Sequence, residues 1–394
     1  MFSSRTVGGA LLVAGTSIGA GMLALPVVTG LGGFVPALAV YVLCWLFMTA
    51  TGLLLLEICL KLPPDANLIS MAGQYLGRGG RAAAWALYLF LFYCLNIAYI
   101  SGGGGLIASW LGIGSWHGSL LFLAFLAPIV YGGAKIVSRM NGILMVGLIA
   151  TYLGFVALGL SSVNLGVLAA SEWSAALIGL PVIFTSFSYQ GIIPSLTAYL
   201  HRDAKQVRIA IVAGTTIAFA IYLVWEFLIL GIVPVQGEFG LEWARQTGQT
   251  AVAPLKYHVA SNAVAAIGQG FAFFAIATSF LGVTLGLLDF LADGLRVAKK
   301  GWRRVGLALL TSVPPGVIAW VNPHLFISAL IFAGGIGCAL LLGLLPVLMA
   351  WRARYKGACL YREEELLGGG KPMLVILVIF VFVELFFEFK HLII

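Results

Sequence analysis

The residues best placed to do chemistry in this chain sit where apolar runs are interrupted. The stretch Ala14-Gly15-Thr16-Ser17-Ile18-Gly19-Ala20-Gly21-Met22-Leu23-Ala24-Leu25-Pro26 places three glycines and two hydroxyls near the middle of the first apolar run. Each helical glycine costs about 1 kcal/mol relative to alanine, so the three together penalise a continuous helix by roughly 3 kcal/mol. A second interruption, between Pro181 and Pro194, carries Phe184-Thr185-Ser186-Phe187-Ser188-Tyr189-Gln190-Gly191. A third feature is the hydroxyl pair Thr278-Ser279. Its hard oxygens suit a sodium ion or equally bond back to their own helix. Interrupted backbone exposes free N–H groups where a helix restarts and free C=O groups where one stops. Within a bilayer such backbone survives only where protein buries it or a wet cavity meets it. The interruptions therefore predict a binding site built from main chain.

The elements that must position this backbone follow from composition. Of 394 residues, 61% are apolar and 9% charged, which excludes a soluble globular class. Runs of the length needed to cross a bilayer fall at about 6–31, 33–60, 82–112, 118–133, 142–160, 174–200, 208–233, 259–290, 304–321, 324–349 and 372–389, numbered here as segments one to eleven. With the N-terminus placed in the cytoplasm, nineteen of the 22 Lys and Arg fall inside, and only Arg245, Lys256 and Lys390 fall outside. This asymmetry predicts that orientation, an external C-terminus and an odd number of crossings. It also gives the net charge of +8 a location at the cytoplasmic face, so no nucleic-acid partner is implied. Residues 1–30 are too long and too interrupted for a cleaved signal peptide and read as a mature segment. Cys44, Cys59, Cys94, Cys338 and Cys359 show no paired spacing and read as small packing residues.

Segments one and six are the first members of two successive sets of five. Interrupted segments at corresponding positions in two halves point to an inverted-repeat transporter. The predicted divisions are 1–160, 161–349, and 350–394 for a cytoplasmic loop and an eleventh helix. Segment one runs outward, so the half beginning near Gly19–Gly21 offers amides and a positive dipole end to an anion. Segment six runs inward, and its first half ends near Phe184–Ser186 with carbonyls and a negative end. Fixed poles of both signs suit a zwitterion, and a free amino acid is one.

Other polar residues admit structural readings. Asn96 and Tyr99 share a helical face in segment three, beside Gly102–Gly105, and serve either ligand contact or helix packing. Glu57 and Lys61 are one turn apart, which allows a simple ion pair. Glu226 either pairs with a neighbour or snorkels. With Asp289, these two glutamates are the candidates for binding a proton. Segment eleven, with Glu384 and Glu388 toward its outer end, reads as peripheral, and the connector 61–81 as a turn-rich loop.

These residues together resemble the hydroxy and aromatic amino acid permease family, in particular the bacterial tyrosine and tryptophan permeases. The likeness rests on residues 14–26, Ala98-Tyr99-Ile100-Ser101, Phe184-Thr185-Ser186-Phe187 with Ile193-Pro194-Ser195, and Ser279-Phe280-Leu281-Gly282-Val283-Thr284-Leu285-Gly286. It implies an all-α polytopic membrane protein of the LeuT-type 5+5 inverted-repeat fold, with broken helices one and six and an eleventh helix. It also implies import of an aromatic amino acid, tyrosine first and tryptophan second, across a bacterial inner membrane by ion symport, with no cofactor. By this resemblance the substrate carboxylate meets the backbone at Gly19, Ala20 and Gly21, and the ammonium meets carbonyls near Thr16 and Phe184. Tyr99, Phe187 and Tyr189 would wall the side chain, with Thr185 and Gln190 nearby. Ala275, Thr278 and Ser279 resemble the segment-eight half of a sodium site, and Gly15 and Ile18 are further ion-coupling candidates.

One departure bears on the coupling ion. Family members usually carry Gly-Phe-His after the Ser-Phe of segment six, where this chain has Ser188-Tyr189-Gln190. The five histidines all lie at loops or segment ends, and segment five offers no lysine between Asn141 and Leu160. Family habit favours protons and the residues permit sodium, so protons stand ahead of sodium. One charge falling through about 100 mV supplies roughly 2.3 kcal/mol, close to a 50-fold concentration ratio. A membrane enzyme would need a nucleophile and base or a metal cluster at one depth, and a channel would need charged rings or filter loops. Neither is legible. The remaining alternative keeps the fold and changes the cargo to serine, threonine or another neutral amino acid.

Overall fold

A computed structural model describes residues 3–64, 66–169, 171–259, 261–355 and 365–393, with the side chains of residue 169 and of 389–393 excluded. Among these residues ten helical stretches are long and apolar enough to cross a membrane, and they correspond to segments two to eleven. Segment one is present but fragmented. It comprises a helix Ser4–Ser17, a single turn Ala20–Leu23, a short helix Leu25–Thr29 and a last turn Gly30–Gly32. None of these pieces has the roughly 20 residues a continuous crossing requires. Segment six is likewise divided, into helical pieces Leu180–Ser186 and Ile193–Tyr199 with a turn at Gln190–Ile192 between them. Both interruptions fall where glycine, hydroxyl and proline cluster in the sequence.

The continuous segments follow from their residues. Phe34–Leu60 starts after Gly33, whose φ of 80° makes the turn out of segment one, and its glycine-poor apolar run then carries the helix to its end. Segment three is longer than its apolar run predicts: the helix starts at Leu68, where Asn67 and Ser70 form a reciprocal capping box, and it bends at Gly77 with φ 74°. The connector expected to be a turn-rich loop is therefore largely helical from residue 68. Segment ten departs from the α-helix altogether in its middle, where Ala333–Leu344 winds as a π-helix flanked by α-helical Phe326–Phe332 and Leu345–Tyr355.

Segment one packs along segment seven (Ala204–Ile232), and segment five (Ala134–Gly159) packs along segment eight (Asn262–Gly294). The N-terminal half of segment six packs on the π-helix of segment ten, and segment eleven (Gly370–Ile393) covers that π-helix from the other side. The connector 234–258 is folded onto the bundle. It holds short helices Leu241–Gln246 and Leu255–His258, and Ala251 N–H bonds to Leu23 O at 2.9 Å, over the restart of segment one. Cys44, Cys59, Cys94 and Cys338 are buried and unbridged, and Cys359 lies outside the described residues. No group of side chains able to hold a metal ion occurs among the described residues.

Candidate functional site

The two interruptions meet. Tyr222 of segment seven places its hydroxyl 2.5 Å from Ser17 O and 2.6 Å from Ser186 O, the last carbonyls before each break. A single phenol thus pins both helix ends at one level. Gly21 lies so close to Ser186 that a Cβ on it would come within 2.8 Å of Ser186 Oγ and 3.2 Å of its Cα. Gly19 meets Ser279 of segment eight in the same way, and the adjacent Ala20 N–H donates to Ser279 Oγ at 3.0 Å. These contacts are why glycine is required there: Gly21 meets the backbone and side chain of Ser186, and Gly19 meets the side chain of Ser279, with no room for a Cβ at either.

Beside this junction is a cavity of about 460 Å³, within the range of small-molecule sites. It takes in the whole break of segment one from Gly15 to Gly21, together with Thr185, Ser186, Ser188 and Tyr189 of segment six. At the restart of segment one the helical ladder begins with Met22 N–H to Gly19 O at 3.2 Å. Of the amides of Gly19, Ala20 and Gly21, only that of Ala20 has an acceptor among the described residues, which leaves the two glycine amides for a ligand. At the stop, Ala14 O accepts from Ile18 N–H and Ser17 O from Tyr222, while the carbonyls of Gly15 and Thr16 remain. Donors and acceptors of opposite polarity therefore face one space. From the breaks the cavity extends toward the end of the bundle that holds the N-terminus, past Tyr88, Asn141 and Gly286, and Thr16, Gly191 and Gly282 are exposed along it. The opposite side is filled by Met22, Leu23, Ala24, Leu25 and Val27, all at most 1% exposed.

Eleven of the residues singled out from the sequence line this cavity: Gly15, Thr16, Ile18, Gly19, Ala20, Gly21, Tyr99, Thr185, Tyr189, Thr278 and Ser279. The rest are placed elsewhere. Asn96 is fully buried, donating to Phe92 O at 2.9 Å and accepting from Thr284 Oγ1 at 2.5 Å, so it binds segment three to segment eight. Phe184 stacks on Phe47 with centroids 5.1 Å apart, and Phe187 packs edge-on against Tyr222 at 5.0 Å. Gln190 donates to Met48 O and Thr51 Oγ1, both at 3.2 Å, and anchors the segment-six break to segment two. Ala275 is buried outside the lining. The hydroxyl of Thr278 bonds back to Phe274 O at 2.8 Å and Ala275 O at 3.1 Å, the helix-internal alternative for that residue.

The three proton candidates are outside the cavity, and each has partners. Glu57 pairs with Lys61 at 3.3 Å and, more closely, with Arg354 at the end of segment ten at 2.5 Å. Glu226 accepts from Tyr41 Oη at 2.7 Å and has Thr29 Oγ1 at 2.5 Å, which braces segments one, two and seven. Asp289 is half exposed and pairs with Lys299. Sequence reasoning missed Tyr88, Phe92, Asn141, Met145, Gly282 and Gly286, all of which line the cavity. Tyr88, Phe92, Leu95 and Tyr99 follow helical spacing on one face, and Gly282 and Gly286 are one turn apart. Those periodicities were readable, but nothing local says which face of a buried helix borders a ligand.

An all-helical membrane bundle in which two broken helices border one cavity, the first of them with free amides and free carbonyls, has the architecture of the LeuT-type fold. The solved structure of MhsT in complex with L-phenylalanine has this fold, with a TM-score of 0.67 at 16% identity over 98% of this chain and 99% of that one. The chain belongs to the tryptophan/tyrosine permease family, which it matches over residues 3–387. It is 34% identical to a tryptophan-specific transport protein of Pseudomonas aeruginosa, over 95% of this chain and 92% of that protein. It is 35% identical to tyrosine-specific transport system 1 of Haemophilus influenzae, over 95% and 94%. Membership makes it a transporter of the aromatic amino acid class and not an enzyme.

Proposed function

We propose that this protein imports an aromatic amino acid, tyrosine ahead of tryptophan, across a bacterial inner membrane by proton symport. The observation that carries the reading is the cavity shared by the two breaks, with its free amides at Gly19 and Gly21 and free carbonyls at Gly15 and Thr16. The amides receive the substrate carboxylate, the carbonyls its ammonium, and Tyr88, Phe92, Tyr99 and Tyr189 border the space for its ring. Residues 1–160 and 161–349 act as the two inverted halves, with 350–394 outside the repeat, the N-terminus cytoplasmic and the C-terminus external. A cavity that reaches from the breaks toward the N-terminal end then corresponds to a state open to the cytoplasm. Protons are favoured over sodium on the resemblance to the permease family; Thr278 Oγ1 donates to Phe274 O and Ser279 Oγ accepts from Ala20 N–H, so neither hydroxyl needs an ion to be satisfied.

The test is uptake of labelled tyrosine and tryptophan into proteoliposomes with the proton and sodium gradients imposed separately. Acid outside should drive tyrosine uptake regardless of sodium. Uptake that needs sodium would transfer the coupling to Thr278 and Ser279, and uptake of neither amino acid would favour a small neutral cargo such as serine or threonine.

A further inference from the structure

Segment eleven was expected to be peripheral, and most of its surface does face outward. Its inward side is a narrow seam of Leu374, Leu377, Val381, Glu384 and Glu388, all 5% exposed or less. The spacing of three, four, three and four residues is that of a helix packing along one neighbour. The first three positions are apolar as such a seam requires, and the last two are acidic. Glu384 and Glu388 are 0% exposed, and none of their four carboxyl oxygens has a hydrogen-bond partner among the described residues. Glu384 lies 14 residues beyond Gly370, roughly 21 Å along the helix and within the depth of a bilayer. Two adjacent unpaired carboxylates at such a place carry a desolvation penalty that a bound proton removes.

The groups facing the pair are few. Cys44 of segment two and Cys338 of segment ten are the titratable neighbours of Glu384, and each glutamate neighbours the other. No cation faces either one among the described residues, although the side chains of Lys390 and His391 lie outside them. The packing partner is the π-helix Ala333–Leu344, a winding that recurs at functional sites. Its consecutive glycines touch opposite sides. A Cβ on Gly335 would lie 2.5 Å from the Glu388 carboxyl carbon, and one on Gly334 would collide with Pro181 O of segment six. Thr185, which lines the substrate cavity, donates to Leu330 O of segment ten at 2.9 Å. Phe380, one turn before Glu384, packs against Phe184 at 5.9 Å. The carboxylates and the segment-six break are thus separated by a single irregular helix that contacts both.

We propose that Glu384 and Glu388 form the proton-binding site of this transporter, outside the substrate cavity and linked to it through the π-helix of segment ten. The inference rests on the proton-symport reading above. Protonation from the external side lets the pair stay buried against Gly335, and release to the cytoplasm regenerates a charge that the seam does not tolerate. The π-helix must shift in response, and with it the end of Leu180–Ser186.

The test uses the full chain in proteoliposomes, with Glu384→Gln and Glu388→Gln, and with Glu384→Leu as the variant that matches the rest of the seam and guards against misfolding. Tyrosine accumulation driven by an imposed pH gradient equivalent to about 100 mV per proton should fall from roughly 50-fold to near unity. Tyrosine counterflow at equal pH, which needs alternation but no net proton movement, should persist in all three, and Glu384→Asp should retain gradient-driven uptake. Variants that accumulate tyrosine as the wild type does overturn the assignment, and so does loss of counterflow in the Gln and Leu variants alike, which would make the pair structural. A wild type that ignores the pH gradient and follows sodium overturns the symport reading itself, whereas gradient-driven wild type with unaffected variants overturns only the role of the pair.

Discussion

Gly21 is the position where a single methyl group tests the reading of the site. A Cβ there would come within 2.8 Å of Ser186 Oγ and 3.2 Å of Ser186 Cα. Ser186 is not free to yield, because its hydroxyl donates to Val182 O at 2.8 Å and its carbonyl accepts from Tyr222. The two breaks must therefore separate by several tenths of an ångström, and overpacking of this kind costs about 1–3 kcal/mol. Expressed in the site's competence to bind, that is roughly five- to 150-fold. Gly21→Ala should lower tyrosine uptake, as kcat/KM, within that range. Gly21→Val, with two further methyls at the amide that meets the carboxylate, should bring uptake to background. Membrane insertion and monodispersity in detergent should be unchanged, since Gly21 is 11 residues from the end of segment one at Gly32 and touches no lipid-facing surface. Adding Ser186→Ala to Gly21→Ala removes the nearer of the two contacts and should restore part of the loss. Wild-type uptake by Gly21→Val would refute the claim that this backbone carries the substrate.

Four further outcomes are expected. Tyr222→Phe removes the hydroxyl shared by Ser17 O and Ser186 O, which should destabilise by about 1–3 kcal/mol; an unchanged melting curve together with unchanged uptake would contradict the bracing role. Glu57→Gln removes the closer of the two carboxylates paired with Arg354 and leaves Glu365 at 3.1 Å, so it should cost about 1–3 kcal/mol. Replacing both by apolar residues should cost less, and thermal unfolding of the single and double variants compares them. Thr278→Val should leave proton-driven uptake within about twofold, because its hydroxyl bonds only within its own helix; abolished uptake would reinstate it as an ion ligand. Single cysteines at Thr16, Gly191 and Gly282 should react with an impermeant maleimide from the N-terminal side only, and labelling from the other side would reverse the direction assigned to the cavity.

The sequence by itself determined what depends on local composition. Apolar length and the distribution of Lys and Arg set the crossings, since transfer of each residue into the bilayer is close to a sum over residues. The glycine and hydroxyl clusters set where segments one and six must break, because helix propensity is local too. The residues of segment one at the centre of the site, Gly15 to Gly21, were legible for that reason. Tertiary structure decided which polar groups were spent on partners far away in the chain. Asn96, Gln190, Glu57 and Glu226 were candidate ligands or proton carriers, with structural readings also open for Asn96 and the two glutamates, and each bonds to a residue far away in the chain. It also decided that Glu384 and Glu388, in a segment that reads as peripheral, face inward without partners. A buried carboxylate's role depends on what lies within about 3 Å of its oxygens, and only the packed fold brings those neighbours together.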